Sequence, residues 1–141
     1  MTLLEIVTEF EKIAKKIPNI NYVGNGDIYE LNNLPNIDYG VFYITQTNHT
    51  QNEDNTNYTL TLFYVDRLAA DSSNKLAIQS NGIRLLTNII NVFAMNNDVE
   101  ISYDIQYTTF LQRFVDECAG VFCNITIITN NDLGICGFEY N

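Results

Sequence analysis

The sequence predicts an α+β domain in which two helices pack on one face of a mainly antiparallel β-sheet. Apolar residues recur at steps of three and four near the N-terminus and again in the middle of the chain, which is typical of amphipathic helices. Four runs rich in β-branched and aromatic residues are separated by polar turns. The resulting order, α-β-β-α-β-β, favours helices collected on one side of a sheet.

Length and composition favour one domain that spans residues 1–141. A chain of 141 residues is long enough to bury a core without disulfides or metals. Its composition, 46% hydrophobic and 17% charged residues, is that of a globular protein rather than a disordered one.

The first helix is predicted from Thr2 to the residues before Pro18. Thr2 and Glu5 have the spacing of an N-terminal capping box, and proline ends a helix. The predicted buried face consists of Leu3, Ile6, Phe10, Ile13 and Ile17.

The first strand pair is predicted at residues 39–46 and 58–66, after a turn-rich segment with a short strand near residues 28–31. Between the two strands, residues 47–57 are entirely polar. We expect this segment to be a hairpin connection or a projecting arm, since it is too hydrophilic to be buried.

The second helix is predicted at residues 74–95, with Gly82 marking a position of close packing. Residues 99–107 alternate between apolar and polar side chains and are predicted to form one continuous strand. Residues 120–129 are predicted to form the next strand, with a bend or bulge at Gly120, and residues 133–140 a short edge strand.

The cysteines and the histidine do not have the pattern of a metal or nucleophile site. Cys118, Cys123 and Cys136 are spaced too widely for a typical zinc site, and His49 is far away in a polar segment. We expect the cysteines to pack in the core and His49 to be a solvated loop residue.

Three further motifs have ordinary structural interpretations. Asp116 and Glu117 are adjacent, so on a strand they point to opposite faces and cannot act as a catalytic pair. The Gly24-Asn25-Gly26 segment lacks the rest of a phosphate-binding loop and is predicted to be a turn. The polar face of the 99–107 strand is predicted to be a plain solvent face: Glu100, Ser102, Asp104 and Gln106. The sequence therefore predicts no catalytic, cofactor-binding or metal-binding residues, and hence no enzyme.

The charge balance disfavours nucleic acid and membrane partners. Seven basic and seventeen acidic residues give a net charge of −10, whereas phosphate binding requires clustered Lys and Arg. The basic residues form no cluster beyond Lys12–Lys16. The N-terminal sequence has no basic signal-peptide region and no apolar run of spanning length, so we expect a protein made in a cytosol.

Tyrosine is abundant, with nine residues and no tryptophan. Six tyrosines are candidates either for a protein interface or for the core and its rim: Tyr22, Tyr29, Tyr39, Tyr43, Tyr103 and Tyr140.

Residues 21–46, 57–68 and 114–129 together resemble small neck and tail-completion proteins of tailed bacteriophages, nearest to the crAss-like phages of gut Bacteroidetes. The likeness includes a D-x-x-A-G-V segment that leads into a strand: Asp116, Ala119, Gly120 and Val121. It implies a tail-terminator-like fold that assembles in the host cytoplasm into a homo-oligomeric ring of the virion around the DNA channel. Its partners would be copies of itself and the adjacent portal-side, neck or tail proteins.

A second hypothesis comes from a different class of protein. An acidic, aromatic-rich domain is also suited to act as a soluble binding or inhibitor module on a basic host protein.

Overall fold

The computed structural model describes residues 1–27, 30, 38–102, 104–113 and 117–130. It contains two long helices and six strands. These are α1 (Leu3–Lys15), β1 (Tyr22–Asn25), β2 (Val41–Gln51), β3 (Asn55–Arg67), α2 (Lys75–Asn96), β4 (Glu100–Ile101), β5 (Tyr107–Arg113) and β6 (Glu117–Asn130).

The strands form one sheet in the order β1-β2-β3-β6, and both β4 and β5 pair with the outer edge of β6. Only β1 and β2 are parallel, so the sheet is mainly antiparallel. Both helices pack on the same face of this sheet in one hydrophobic core. The predicted α+β class is therefore confirmed.

Helix α1 begins as the sequence predicts. The backbone N–H of Glu5 donates to Oγ1 of Thr2 at 3.2 Å, which satisfies one of the amides at the start of the helix. Its buried residues are Ile6, Val7, Phe10, Ile13 and Ala14. The ring of Phe10 stacks on that of Phe93 in α2, with centroids 4.1 Å apart, and so joins the two helices.

Helix α2 begins one residue later than predicted, and Asn74 does not cap it with its side chain. The Asn74 side chain instead accepts from the amide of Ala69 and donates to the carbonyl of Arg67. These two bonds fix the loop that carries the chain from β3 into α2. No helix among the described residues is long and apolar enough to cross a membrane.

The polar segment 47–57 is mostly paired strand rather than loop. Strand β2 continues to Gln51 and β3 starts at Asn55, so the connection is the short turn of residues 52–54. In this turn Oδ1 of Asn52 accepts from the amides of Asp54 and Asn55. Strand β3 lies between β2 and β6 here and finds backbone partners on both sides, which polar side chains do not prevent. Residues 46–54 are exposed, as their composition requires.

The prediction of one continuous strand at residues 99–107 is wrong. Strand β4 ends at Ile101, opposite Ile127, and β5 starts at Tyr107, opposite Cys123. From Ile101 to Tyr107 this edge advances six positions while β6 advances four, so β4 and β5 are not one continuous ladder. Alternating hydrophobicity reports which side chains are buried, but it does not report whether backbone pairing is continuous.

The bulge predicted at Gly120 is also absent, because β6 pairs with β3 without a register shift along its length. A side chain at Gly120 would collide with the carbonyl oxygen of Tyr64 and would lie 2.6 Å from Cζ of Phe110. The close packing predicted at Gly82 is confirmed, since a Cβ there would lie 2.5 Å from Cγ1 of Val121. Glu30 is helical, so the strand predicted near residues 28–31 is wrong at this residue. The rest of that segment and the strand predicted at residues 133–140 lie outside the described residues.

We predict that Gly120→Ala lowers the free energy of unfolding by about 3 kcal/mol, at the upper end of the cost of overpacking. The new methyl group would meet backbone, which cannot move aside as a side chain can. Urea denaturation followed by circular dichroism measures the change.

Gly24→Ala is the matched control, because a methyl group at this strand position would meet only the movable ring of Tyr22. Equal losses of stability in the two variants would contradict the packing argument.

Candidate functional site

The two described cysteines lie in the interior of the protein. Cys118 and Cys123 are both 0% exposed and belong to the separate cores on the two faces of the sheet. Burial raises the pKa of the Cys123 thiol to about 12, so this group stays protonated at neutral pH and is a poor nucleophile. Core packing of these two residues is confirmed, and Cys136 lies outside the described residues. The described part of the chain brings together no group of three His, Cys, Asp or Glu side chains suited to a metal ion.

His49 lies on β2 in the exposed hairpin, rather than in a loop. Its Nε2 is 3.2 Å from Oε1 of Gln46, and its ring meets the edge of Tyr58 at a centroid distance of 5.4 Å. The prediction that His49 is solvated is confirmed.

Gly24 and Gly26 lie at the end of β1 and have a structural role. Gly24 and Asn25 close β1, and Gly26 turns the chain with a φ of 141°. Nδ2 of Asn25 donates to the carboxylate of Glu11 on α1 at 2.5 Å, which holds this end of the strand to the helix. The turn prediction is wrong for Gly24 and Asn25, which pair with β2 as part of β1, and the chain bends only at Gly26.

The acidic candidates lie on the surface where they are described. Glu117 starts β6 and is exposed, while Asp116 lies outside the described residues. The four polar residues of the expected solvent face are all exposed: Glu100, Ser102, Asp104 and Gln106.

Of the six candidate tyrosines, the three that the structure describes are buried or half-buried. Tyr43 is 2% exposed, and its hydroxyl donates to the carbonyl of Asp27 at 3.1 Å. Burial, with a further contribution from the carboxylate of Glu30, raises its pKa to about 12. Tyr22 and Tyr39 are half-buried beside it, on the sheet face opposite the helices. Tyr29, Tyr103 and Tyr140 lie outside the described residues.

Charge is distributed unevenly between the helices and the rest of the chain. Helix α1 with its cap residue Lys16, taken together with α2, contains five basic and three acidic residues, a net charge of +2. The remainder contains two basic and fourteen acidic residues, a net charge of −12. Helix α2 has no acidic residue at all. The two helices thus carry a small positive net charge in an otherwise acidic protein.

A groove of about 530 Å³ runs between the two helices, and we call it the interhelical groove. Its floor contains the buried residues Ile13, Leu85 and Ile89. Its polar lining contains three cations and one carboxylate: Lys12, Lys16, Arg84 and Glu9. Three exposed asparagines complete this lining: Asn19, Asn88 and Asn96.

Helix geometry brings the three cations together. Lys12 and Lys16 are four residues apart and share one face of the end of α1. Arg84 approaches from α2, where it donates to Oδ1 of Asn81 at 2.7 Å. Among the residues that the structure describes, none of these three cations forms an ion pair with a carboxylate. The groove therefore presents positive charge above an apolar floor.

The second surface is the tip of the β2–β3 hairpin, residues 52–54. The carboxylates of Glu53 and Asp54 are exposed there. Glu100 lies at the same end of the sheet, since it pairs with Ile128, which also pairs with Asn57 near the tip. We call residues 52–54 the hairpin tip.

The Lys16 end of the groove and the tip lie at different ends of β2. The chain leaves α1 near Lys16 and enters β1, whose first residue pairs with Val41 at the start of β2. The tip follows the far end of β2, ten residues later. At about 3.3 Å per residue, the Lys16 end of the groove and the tip are about 30 Å apart along the strand.

The sequence-based analysis recognised Lys12–Lys16 as a cluster but missed Arg84. A signal was present, because Arg84, Asn88, Val92 and Asn96 recur every four residues on one ridge of α2. What the sequence does not contain is the antiparallel placement that sets this ridge beside the end of α1.

Two tyrosines should ionise late and reduce stability at high pH. Burial raises the folded-state pKa of Tyr43 and of Tyr64 to about 12, above the ordinary tyrosine value of 10.0. Their contribution to stability is therefore complete below pH 10 and is lost as the pH rises toward 12. A titration of tyrosinate absorbance should show a late step that Tyr64→Phe reduces. The protein unfolded in denaturant provides the control, and one common step near pH 10 in both states would contradict the prediction.

Comparison of the sequence with protein-family models and with curated proteins finds no match. The functional argument therefore starts from the geometry and charge of the interhelical groove and the hairpin tip.

Proposed function

We propose that this protein is a structural subunit that associates head to tail with copies of itself. In this proposal the copies form a ring in the neck or tail of a tailed bacteriophage. The ring joins the portal side of the capsid to the tail and surrounds the DNA passage. The subunit acts through its surfaces and carries out no reaction.

One observation carries the proposal: a single subunit has two surfaces of opposite charge, and the Lys16 end of the groove is about 30 Å from the tip along β2. An isologous dimer uses one self-complementary patch on both subunits. A head-to-tail contact instead uses two different patches, and its repetition closes a ring when the rotation permits. The separation of the groove from the tip is the arrangement that a head-to-tail contact needs.

The charge outside the helices is compatible with a position around DNA. The chain apart from the helix layer has a net charge of −12, which repels a phosphate backbone. A channel wall of this charge would let DNA pass without binding it. The placement in a phage neck or tail also draws on the resemblance of residues 21–46, 57–68 and 114–129 to neck and tail-completion proteins.

The acidic hairpin tip also favours the second candidate function, a binding or inhibitor module that contacts a basic host protein. This candidate does not use the interhelical groove, and it requires no association between copies. Measurement of the oligomeric state separates the two functions.

We predict that the purified protein associates reversibly at low salt. Sedimentation velocity and light scattering should show a mass above 16.1 kDa that rises with concentration. The mass should fall with added salt, because charges at a surface are screened. A protein that stays monomeric at concentrations up to about 1 mM has a self-association weaker than about 4 kcal/mol. That result would overturn the proposed function.

The place in the virion is tested separately. Particles purified from the phage that encodes this chain should contain it in multiple copies by mass spectrometry, and electron microscopy should locate it between capsid and tail. Its absence from purified particles, with recovery on one host protein, would favour the inhibitor function instead.

A further inference from the structure

We infer that the interhelical groove of one subunit receives the hairpin tip of a second copy of this chain. The inference rests on the proposed head-to-tail association and identifies the two surfaces that meet. It pairs the carboxylates of Glu53 and Asp54 with the cations of the groove: Lys12, Lys16 and Arg84.

The occupant comes from another copy because the tip cannot reach the Lys16 end of its own groove. The Lys16 end of the groove lies beside the start of β2. The tip follows the far end of that strand. Between them, β2 is paired with β3 and cannot fold back without losing these hydrogen bonds. A second copy supplies the same acidic tip without this cost.

The tip is already ordered before it binds. The amide of Asn52 donates to the carbonyl of Asn55 at 2.9 Å, and its side chain accepts from the amides of Asp54 and Asn55. Strands β2 and β3 hold the turn on both sides. A segment held in its bound conformation loses little conformational entropy on association, so modest charge contacts are sufficient to hold it.

The groove offers matching chemistry and space. Its cations have no ion-pair partner among the described residues, and its three asparagines can bond to the polar atoms of a turn. Its volume of about 530 Å³ lies within the range of sites that hold compact ligands. Glu9 is the one carboxylate of the lining, so attraction of an acidic tip exceeds repulsion.

Zero-length chemical crosslinking tests the contact in the unaltered protein. A carbodiimide joins a carboxylate directly to a lysine amine, so it should link Glu53 or Asp54 to Lys12 or Lys16. An equal mixture of ¹⁴N- and ¹⁵N-labelled protein shows by mass spectrometry whether a link joins two copies. Mixed-label links between tip and groove support the inference. Links that join only one copy, or that map elsewhere in the associated protein, overturn it.

Charge reversal tests the same contact by affinity. Arg84→Glu and Glu53→Lys should each weaken association at least about tenfold at low salt, because an attraction becomes a repulsion. An equal mixture of the two variants should associate again, since the altered groove of one meets the altered tip of the other. This rescue is not expected from a variant that has merely lost its fold.

Two variants with the same changes in charge serve as controls. Lys75→Glu alters the exposed first residue of α2, which does not line the groove, and Asp104→Lys alters an exposed residue between β4 and β5. Both should associate nearly as the unaltered protein does. If the unaltered protein associates but the reversals match these controls, the contact is wrong and head-to-tail association through other surfaces stands. If the unaltered protein is monomeric, the proposed function itself fails.

Discussion

The contact between α2 and the β3–β6 pair supports the rest of the structure. At Gly82 the helix backbone comes so close to the sheet that a methyl group would meet Val121 and Tyr64. This approach sets the position of α2, and the stacked rings of Phe10 and Phe93 then set α1 against it. The interhelical groove exists because both helices are held on one face of the sheet in this way.

The longest strand pairing in the sheet below this contact is that of β3 with β6. Strands β3 and β6 pair without interruption from Asn55 opposite Asn130 to Arg67 opposite Cys118. Because β6 continues beside β3 to the end of the hairpin, the polar strands there have backbone partners although their side chains bury little apolar area. The hairpin is therefore a firm extension of the sheet, and its acidic tip has a defined position.

A thiol and two phenol hydroxyls of the described residues are buried in the interior. The Cys123 thiol is buried with a raised pKa, and the hydroxyls of Tyr43 and Tyr64 are likewise held protonated by burial. The helices carry a net charge of +2, and the rest of the chain carries a net charge of −12. In the proposed association, this separation of charge would give the contact between copies a fixed orientation.

The sequence by itself determined the fold class, the positions of both helices, the burial of Ile6, Phe10 and Ile13 on α1, and the burial of Cys118 and Cys123. These features follow from local periodicity and from a cap two residues into the chain, which neighbours in sequence are enough to specify. The tertiary structure alone decided three others. These are the division of residues 99–107 into two edge segments, the strand pairing within residues 47–57, and the role of Gly120 beneath Phe110. Each depends on which backbone lies alongside, and side-chain pattern does not encode that. The meeting of Arg84 with Lys12 and Lys16 has the same origin, because residues distant in sequence become one groove only when the packing of two helices brings them together.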